Sequence, residues 1–204
     1  MAVTLNASTS SGLVQTADTS GTVEIQSNGT TKLTVSSSGV NIGQMNGGAI
    51  TAGTAVSASS TSVDFTSIPS WVKRITVMFS GVSTSGTSLP MIQLGDSGGV
   101  ETTGYTAGSS LIGFGTSNYT TGFTIRTDAV ASTIMDGFIT INLVSSSTNS
   151  WVAGGNIYAP TPTAYMSAVS GAKSLSATLD RVRITTVNGT DTFDAGTINI
   201  LYEG

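Results

Sequence analysis

Short runs in which apolar and polar residues alternate constrain the fold of this chain more than any other feature of its sequence. In residues 73–80, Ile75, Val77 and Phe79 fall on one face of an extended segment, and residues 137–143 alternate in the same way. Glycine, serine and asparagine separate such runs, as they do where tight turns join β-strands. The pattern therefore predicts an all-β protein.

Further runs of the same kind extend this prediction along the chain. They lie at residues 91–94, 110–114, 122–126, 151–158, 181–187 and 197–202. Eight to ten strands in about 150 residues are typical of an antiparallel β-sandwich of jelly-roll type. The nearest approach to a helical pattern, residues 166–175, is short and contains Gly171, so it carries little weight.

The first fifty residues have a pattern of their own. Apolar positions alternate in residues 22–26, Asn28-Gly29 supplies a hairpin turn, and alternation returns in residues 33–35. Residues 40–42 predict a third short strand. We therefore expect a small β-hairpin extended by one strand.

This N-terminal segment should need partners to be stable. Each strand offers about two apolar side chains, and burying them stabilises the fold by about 0.8 kcal/mol per CH₂ group. Ordering the backbone opposes folding by roughly 1 to 2 kcal/mol per residue, which is more than this burial can offset. We predict an anchor and trimerisation segment at residues 1–48, a linker rich in glycine, alanine and threonine at 49–56, and a β-sandwich head at 57–204. A flexible polar tail is the alternative for the first segment.

The amino-acid composition excludes several function classes. Cysteine and histidine are both absent, which excludes disulfides, thiol nucleophiles, zinc fingers and Ser-His-Asp catalysis. Charged residues make up 9% of the chain, against roughly a quarter in an ordinary domain. With a net charge of −4 and 7 scattered basic residues, the chain has no electrostatic footprint for nucleic acid.

No stretch of the sequence predicts insertion into a membrane. The longest apolar runs fall far short of the roughly 18 residues that a spanning helix needs. Residues 1–6 lack the basic and apolar regions of a signal peptide.

The segment Gly95-Asp96-Ser97-Gly98-Gly99 matches the pentapeptide that carries the nucleophile of trypsin-like proteases, and also the G-x-S-x-G elbow of α/β-hydrolases. Both families use a histidine base, and this chain has none. A Ser-Lys pair would need Lys32, Lys73 or Lys173 beside Ser97, which nothing in the sequence indicates. We therefore predict a glycine-rich turn after the strand at residues 91–94, and no enzyme activity.

Acidic residues near the C-terminus raise the question of a calcium site. Asp191 and Asp194 flank Phe193 beside the turn at residues 188–190, but their spacing fits no EF-hand loop. We predict no metal and no cofactor, although a Ca²⁺ near these two carboxylates stays open. We expect Asp180, Arg181 and Arg183 to form ion pairs at strand ends.

Aromatic residues in polar loops are candidate receptor or glycan contacts. Tyr105, Tyr119, Trp151 and Tyr165 lie in or near segments rich in glycine and serine, as does Tyr158. A ring can stack on the apolar face of a sugar while polar neighbours bond its hydroxyls. Ordinary β-sandwich loops have the same composition, so both interpretations stay open. Trp71, after Ile68-Pro69, is predicted to pack in the core or at a subunit interface.

Three stretches of the chain resemble a known group of proteins. Residues 63–79, VDFTSIPSWVKRITVMF, with 81–83 and 93–95, resemble the C-terminal domain of tailed-bacteriophage fibre proteins. The ending at 187–203, VNGTDTFDAGTINILYE, is similar to the ending of that group, and residues 28–30 and 35–40 resemble repeats of fibre shafts. The resemblance implies a trimeric virion protein with a distal β-sandwich, and supplies no catalytic residue.

Two roles on the virion are compatible with this resemblance. In the first, a homotrimeric tail fibre is held by other virion proteins through its N-terminal segment and presents loops to a host-surface glycan or protein. In the second, a capsid decoration or head-fibre protein has a mainly structural role. Glycan hydrolysis by paired carboxylates is a third hypothesis, but the 11 acidic residues include no recognisable pair.

Overall fold

A computed structural model describes residues 22–37, 39–42, 50–131, 133–160 and 164–204. All regular structure in these residues is β, and every strand pair is antiparallel. The predicted all-β class with an antiparallel β-sandwich is confirmed, while the finer jelly-roll arrangement stays a prediction. The described residues contain no helix long and apolar enough to cross a membrane.

The chain divides into two compact units, Met1–Asn46 and Gly47–Gly204. In the first unit, three strands form one antiparallel sheet in the order β1-β2-β3. They are β1 (Val23–Ser27), β2 (Thr30–Ser36) and β3 (Gly39–Ile42). The predicted hairpin and its third strand are thus confirmed, and Asn28 and Gly29 both have the positive φ that a tight hairpin turn requires. The predictions for residues 1–21 and 43–49 lie outside the described residues.

The second unit contains a large sheet of nine strands. Eight of them follow one another in the order β11-β10-β15-β14-β13-β7-β17-β4, and β5 also pairs with β17. The strands are β4 (Thr51–Ala52), β5 (Val56–Ser57), β7 (Arg74–Thr84), β10 (Tyr105–Leu111), β11 (Thr116–Tyr119), β13 (Met135–Ser145), β14 (Ser150–Ala159), β15 (Tyr165–Ser174) and β17 (Phe193–Glu203). Strand β4 lies in the segment 49–56 for which composition predicts a linker, and β5 begins at the last residue of that segment.

A smaller sheet of five strands faces the large one. Its order is β12-β8-β16-β6, and β9 pairs with β8. The strands are β6 (Ser62–Phe65), β8 (Pro90–Asp96), β9 (Gly99–Val100), β12 (Phe123–Thr124) and β16 (Arg181–Thr186).

The hydrophobic core lies between the two sheets. Ile75 and Val77 of β7 are fully buried, as are Ile139 and Ile141 of β13. The small sheet contributes side chains such as Ile184, which is also fully buried in the same cluster. The alternation in the sequence therefore identifies the inward face of each of these strands correctly.

Glycines create irregular positions across three neighbouring strands of the large sheet. Gly81 of β7, Gly137 of β13 and Gly196 of β17 have positive φ values of 64°, 140° and 88°. The register of the β13–β7 and β17–β7 pairs shifts around these positions. A Cβ on Gly196 would stand 2.4 Å from the carbonyl oxygen of Gly81, so only glycine fits there without movement of the backbone.

The region with the weak helical pattern is a strand. Residues 165–174 form β15, which pairs along its whole length with β14 and over most of it with β10. Val169 and Lys173 point inward and are buried, while Met166 points outward and is exposed. Because the local sequence pattern of residues 165–174 is ambiguous, the pairing of β15 with its two neighbouring strands determines that this segment is a strand.

Candidate functional site

The N-terminal sheet exposes an apolar stripe. Val23 pairs with Val35 and Ile25 pairs with Leu33, so the four side chains share one face of the β1–β2 ladder. Val23, Ile25 and Val35 are 39%, 49% and 40% exposed. A three-stranded sheet of this size usually needs an apolar face that packs against something. The stripe is therefore a candidate surface for self-association or for docking on a larger assembly.

The outward face of the large sheet is a second candidate surface. Phe138 is 55% exposed on β13, and Tyr158 and Met166 are exposed cross-strand partners on β14 and β15. The residues around them are small or uncharged, except for Asp136, which is the cross-strand partner of Tyr158 on β13. Between β10 and β7 the uncharged outward positions include Thr106, Gly108, Ser110, Met166, Ala168, Ser170, Ala172, Val152, Gly154, Asn156, Tyr158, Phe138, Thr140, Asn142, Thr76 and Met78.

Few charges interrupt this face. Arg74 and Glu203 stand opposite each other on β7 and β17, where they form an ion pair. Asp136 accepts the backbone N–H of Gly81 at 2.7 Å. Apolar patches that extend over several hundred Å² commonly mark protein–protein contacts. A flat, nearly uncharged face with exposed aromatic residues is suited to close packing against another subunit.

The face has a limited size. Five strands at about 4.8 Å spacing, with up to four outward positions along each at roughly 6.8 Å, cover roughly 24 Å by 25 Å, or roughly 600 Å². This area is smaller than the roughly 800 Å² that each partner buries in a standard interface.

Two of the predicted contact aromatics are buried. Tyr105 and Trp151 are 2% and 3% exposed, and both point into the core from the same row of the large sheet, on either side of Lys173. The hydroxyl of Tyr105 accepts the N–H of Leu94 at 2.7 Å and donates to the carbonyl of Glu101 at 3.0 Å. Neither ring presents a face to solvent, which removes both from the candidate sugar contacts.

The other two predicted contacts are partly accessible but do not form one site. Tyr119 is half-buried on the edge strand β11, where it packs against the core. Tyr165 is half-buried at the start of β15, and its hydroxyl lies 3.2 Å from a carboxylate oxygen of Asp128. Burial raises the pKa of Tyr165, and the Asp128 charge adds to this shift.

The protease-like pentapeptide forms a hairpin turn, as predicted. Gly95 and Asp96 of β8 pair with β9, and Ser97 is exposed in the turn between them. A Cβ on Gly95 would stand 2.3 Å from the carbonyl oxygen of Gly99, so the close approach of the two strands requires glycine. The sequence motif thus has a structural explanation.

An acidic cluster beside this turn is fully bonded. The buried carboxylate of Asp96 accepts Ser176 Oγ at 2.6 Å and the Gly98 N–H at 2.8 Å. These bonds hold its pKa below the ordinary value of 3.8. Glu101 accepts the N–H of Ser176 at 2.7 Å and forms an ion pair with Lys173.

Lys173 is the one buried cation among the described residues. It is 6% exposed, and its ammonium group also lies 5.4 Å from the centre of the Tyr105 ring. For Glu101, burial raises the pKa, but the bonds from Lys173 and Ser176 outweigh burial and lower it. A buried lysine without a carboxylate partner is costly, so this pair is a structural element of the core edge.

The two carboxylates considered for calcium point to different partners. Asp191 accepts Ser88 N at 2.9 Å and Asn188 Nδ2 at 2.8 Å, while Asp194 accepts the hydroxyl of Ser83 at 2.5 Å. Among the described residues, no group of three or more acidic side chains is placed to hold a metal ion. Asp191 instead joins two loops of the protein.

The predicted strand-end ion pairs are present. Arg181 bonds Asp180 at 2.7 Å, and Arg183 of β16 bonds both carboxylate oxygens of Asp64 on β6 at 2.7 Å. These bonds raise the pKa of both guanidinium groups.

The outward face of the large sheet is a site that the sequence alone does not single out. Phe138 alternates with buried isoleucines, and this alternation is the available signal for an exposed aromatic residue. Tyr158 and Met166 form a cross-strand pair on the same face, one row from the Phe138–Asn156 pair, and this arrangement depends on strand pairing, which single-strand patterns do not contain. Comparison of the chain with known protein families, with curated proteins and with solved structures gives no match.

Proposed function

We propose that this chain is a structural protein of a tailed-bacteriophage virion: a homotrimeric tail fibre or appendage whose β-sandwich contributes to attachment to the host surface. The proposal joins the resemblance of residues 63–79, 81–83, 93–95 and 187–203 to the candidate assembly surfaces. It includes no catalytic role and no cofactor.

The exposed apolar stripe of the N-terminal sheet carries the assembly part of the proposal. Val23, Ile25 and Val35 are about 40 to 50% exposed in a sheet with few other apolar side chains. Covering such side chains contributes about 25 cal/mol per Å² of apolar surface. Around a threefold axis, three copies of this stripe would cover one another, and the outward face of the large sheet offers a second contact between copies.

Attachment to the host is tested separately from assembly. Purified full-length protein is expected to bind host cells and to slow adsorption of the phage in proportion to its concentration. Repeated weak sites on a trimer gain avidity, so a monomeric variant should compete less well at equal chain concentration. Absence of both cell binding and competition would reject the attachment role.

A capsid decoration or head-fibre protein is the alternative proposal. The same apolar stripe would then dock on the shell, and contact with the host would be incidental. Gold labelling of the protein on intact particles separates the two proposals, because label at the tail supports the fibre and label on the capsid supports the alternative.

A further inference from the structure

A polar groove crosses the outward face of the small sheet, on the opposite side from the core. Its volume is about 520 Å³, within the range of about 300 to 1,000 Å³ that is usual for small-molecule sites. The floor is formed by Met91 and Gln93 of β8 with Arg183 and Thr185 of β16. Residues 102–103, Thr121 and the turn at 187–189 form its walls.

Hydroxyl groups dominate the lining. They belong to Thr61, Ser62, Thr102, Thr103, Thr121, Thr185 and Thr186. Thr102 and Thr103 are exposed, and their hydroxyls make no bond to the described part of the chain. The thioether of Met91 and the side chain of Val187 add apolar surface among these polar groups.

The floor holds its polar groups in fixed positions. Gln93 is 4% exposed, and its Nε2 donates to the carbonyl of Thr121 at 2.8 Å. Arg183 lies in register between Gln93 and Asp64, to which it donates two bonds of 2.7 Å. Thr185 donates to the carbonyl of Thr61 at 2.8 Å. Groups fixed in this way lose little conformational entropy when a ligand binds.

The wall at residues 187–189 is also well fixed. The side-chain oxygen of Asn188 accepts Thr186 Oγ1 at 2.9 Å and the backbone N–H of Thr190 at 3.0 Å. The backbone N–H of Asn188 donates to Ser88 Oγ at 3.0 Å. This turn therefore holds its shape without a ligand.

Charge in the groove favours a neutral ligand. Arg183 is the one cation that lines it among the described residues, and Asp64 already neutralises it through a two-point contact. An anionic ligand would have to displace Asp64 or lie beside it. A neutral ligand can accept the remaining N–H groups of Arg183 without breaking the pair.

Backbone pairing argues against a peptide as the occupant. The backbones of β8 and β16 pair with each other and β16 also pairs with β6, so the floor offers no free strand edge for an added strand. Fixed hydroxyls, the two side-chain amides of Gln93 and Asn188, and small apolar patches match a ring that carries hydroxyls on one side and C–H groups on another.

We propose that this groove binds a neutral saccharide, through the threonine hydroxyls, Gln93 and the free N–H groups of Arg183. This inference rests on the attachment role proposed above and deepens it by naming a ligand class and its place. A monosaccharide is expected to bind with a dissociation constant on the order of 1 mM, and avidity on an assembled particle strengthens the contact.

The test is saturation-transfer NMR on the full-length protein with the methyl glycosides of glucose, galactose and mannose, and with glucuronic acid as the anionic comparison. Thr103→Trp fills the groove from an exposed position, and Thr148→Trp, on an exposed turn outside the groove, is the matched control. We expect transfer to at least one neutral glycoside, which Thr103→Trp weakens at least about tenfold and Thr148→Trp leaves unchanged.

A finer variant tests the hydroxyls themselves. The double change Thr102→Val and Thr103→Val keeps the side-chain shapes and should weaken binding about threefold to tenfold. The groove assignment is overturned by absence of transfer to every neutral glycoside, by stronger transfer to glucuronic acid, or by transfer that Thr103→Trp does not change. If such a protein still binds host cells, the attachment role stands and only the groove is rejected.

Discussion

At the scale of single residues, we expect a substitution in the pair of Lys173 and Glu101 to lower the free energy of unfolding most. Glu101→Gln leaves the buried ammonium group of Lys173 without its carboxylate. Breaking a buried ion pair from one side costs about 3 to 5 kcal/mol. We expect urea unfolding at fixed protein concentration to show a decrease of this size in the free energy of unfolding.

The double variant Glu101→Gln with Lys173→Met is the control for this prediction. Methionine keeps much of the lysine volume and removes the charge that needs a partner. The double variant should therefore recover part of the stability that Glu101→Gln alone loses. A single variant as stable as the original protein would show that the ion pair contributes nothing.

Acid should destabilise the protein through Asp96 and Glu101. Both pKa values are lowered in the folded state from ordinary values of 3.8 and 4.5. A carboxyl group with a lowered pKa stabilises the fold above its unfolded pKa, and this stability is lost as the pH falls through its folded pKa. Because the chain has no histidine, stability should be level from about pH 8 to about pH 5 and then decline.

The variant Ser176→Ala tests the source of this acid sensitivity. It removes the hydroxyl that makes the largest contribution to the lowered pKa of Asp96, and the side chain is exposed. Thermal unfolding measured from about pH 7 to about pH 2 should show that stability decreases less on acidification than it does in the original protein. An unchanged acid profile would assign the sensitivity to other carboxylates.

Individual residues are predictable from the sequence where alternation decides their orientation. Alternation assigns Ile75 and Val77 to one face of β7, and Ile139 and Ile141 to one face of β13, and all four are buried on the inward face of the sheet. Tyr105 and Trp151 have polar neighbours in the sequence, yet they point into the core. Because their neighbours include glycine and serine, no alternation of apolar residues shows which face of the strand each ring occupies. The burial of these two rings therefore depends on strand pairing.

At the scale of elements, the Gly196 position of the large sheet should tolerate no side chain. Gly196→Ala would place a Cβ 2.4 Å from Gly81 O at a φ of 88°. Left-handed backbone costs about 1 to 2 kcal/mol for a residue with a Cβ, and overpacking about 1 to 3 kcal/mol. Gly115→Ala is the control, since an added methyl group there would have no heavy atom within 4 Å and the φ of Gly115 is not positive.

Unfolding midpoints of the two glycine variants decide this prediction. Gly196→Ala should lower the free energy of unfolding by more than about 2 kcal/mol, while the free energy of unfolding of Gly115→Ala should stay within about 0.5 kcal/mol of that of the original protein. Equal stability of the two variants would mean that the strands at Gly81 and Gly196 can separate without cost.

The apolar stripe of the N-terminal sheet gives a prediction on assembly. Changing Val23, Ile25 and Val35 together to threonine keeps β-branched side chains but makes the stripe polar. We expect self-association to weaken, measured by sedimentation at several concentrations, while the sandwich unfolds at the same temperature. Thr34→Ser, on the opposite face of the ladder, should leave association unchanged.

Strands are more predictable from the sequence than their neighbours in the sheet. The hairpin at Asn28-Gly29 is local, because the turn residues specify which segments pair. The order of the large sheet is not local, since β7 lies between β13 and β17. Long-range pairing of this kind also determines which side chains meet in the groove of the small sheet, so the sequence alone does not reveal that site.

At the scale of the whole molecule, low charge is consistent with a protein suited to contact with other subunits. Only 9% of residues are charged, and the outward face of the large sheet has wide uncharged rows. Such a surface favours packing between subunits more than isolation in solution. These features support the proposal of a self-assembling appendage with a polar binding groove.

The mass of the assembled protein in solution tests the central claim most directly. Light scattering during size-exclusion chromatography of the full chain at micromolar concentration should give three times the chain mass of 20.5 kDa, or 61.5 kDa. A single monodisperse species of 20.5 kDa would contradict the trimer on which the proposed function rests.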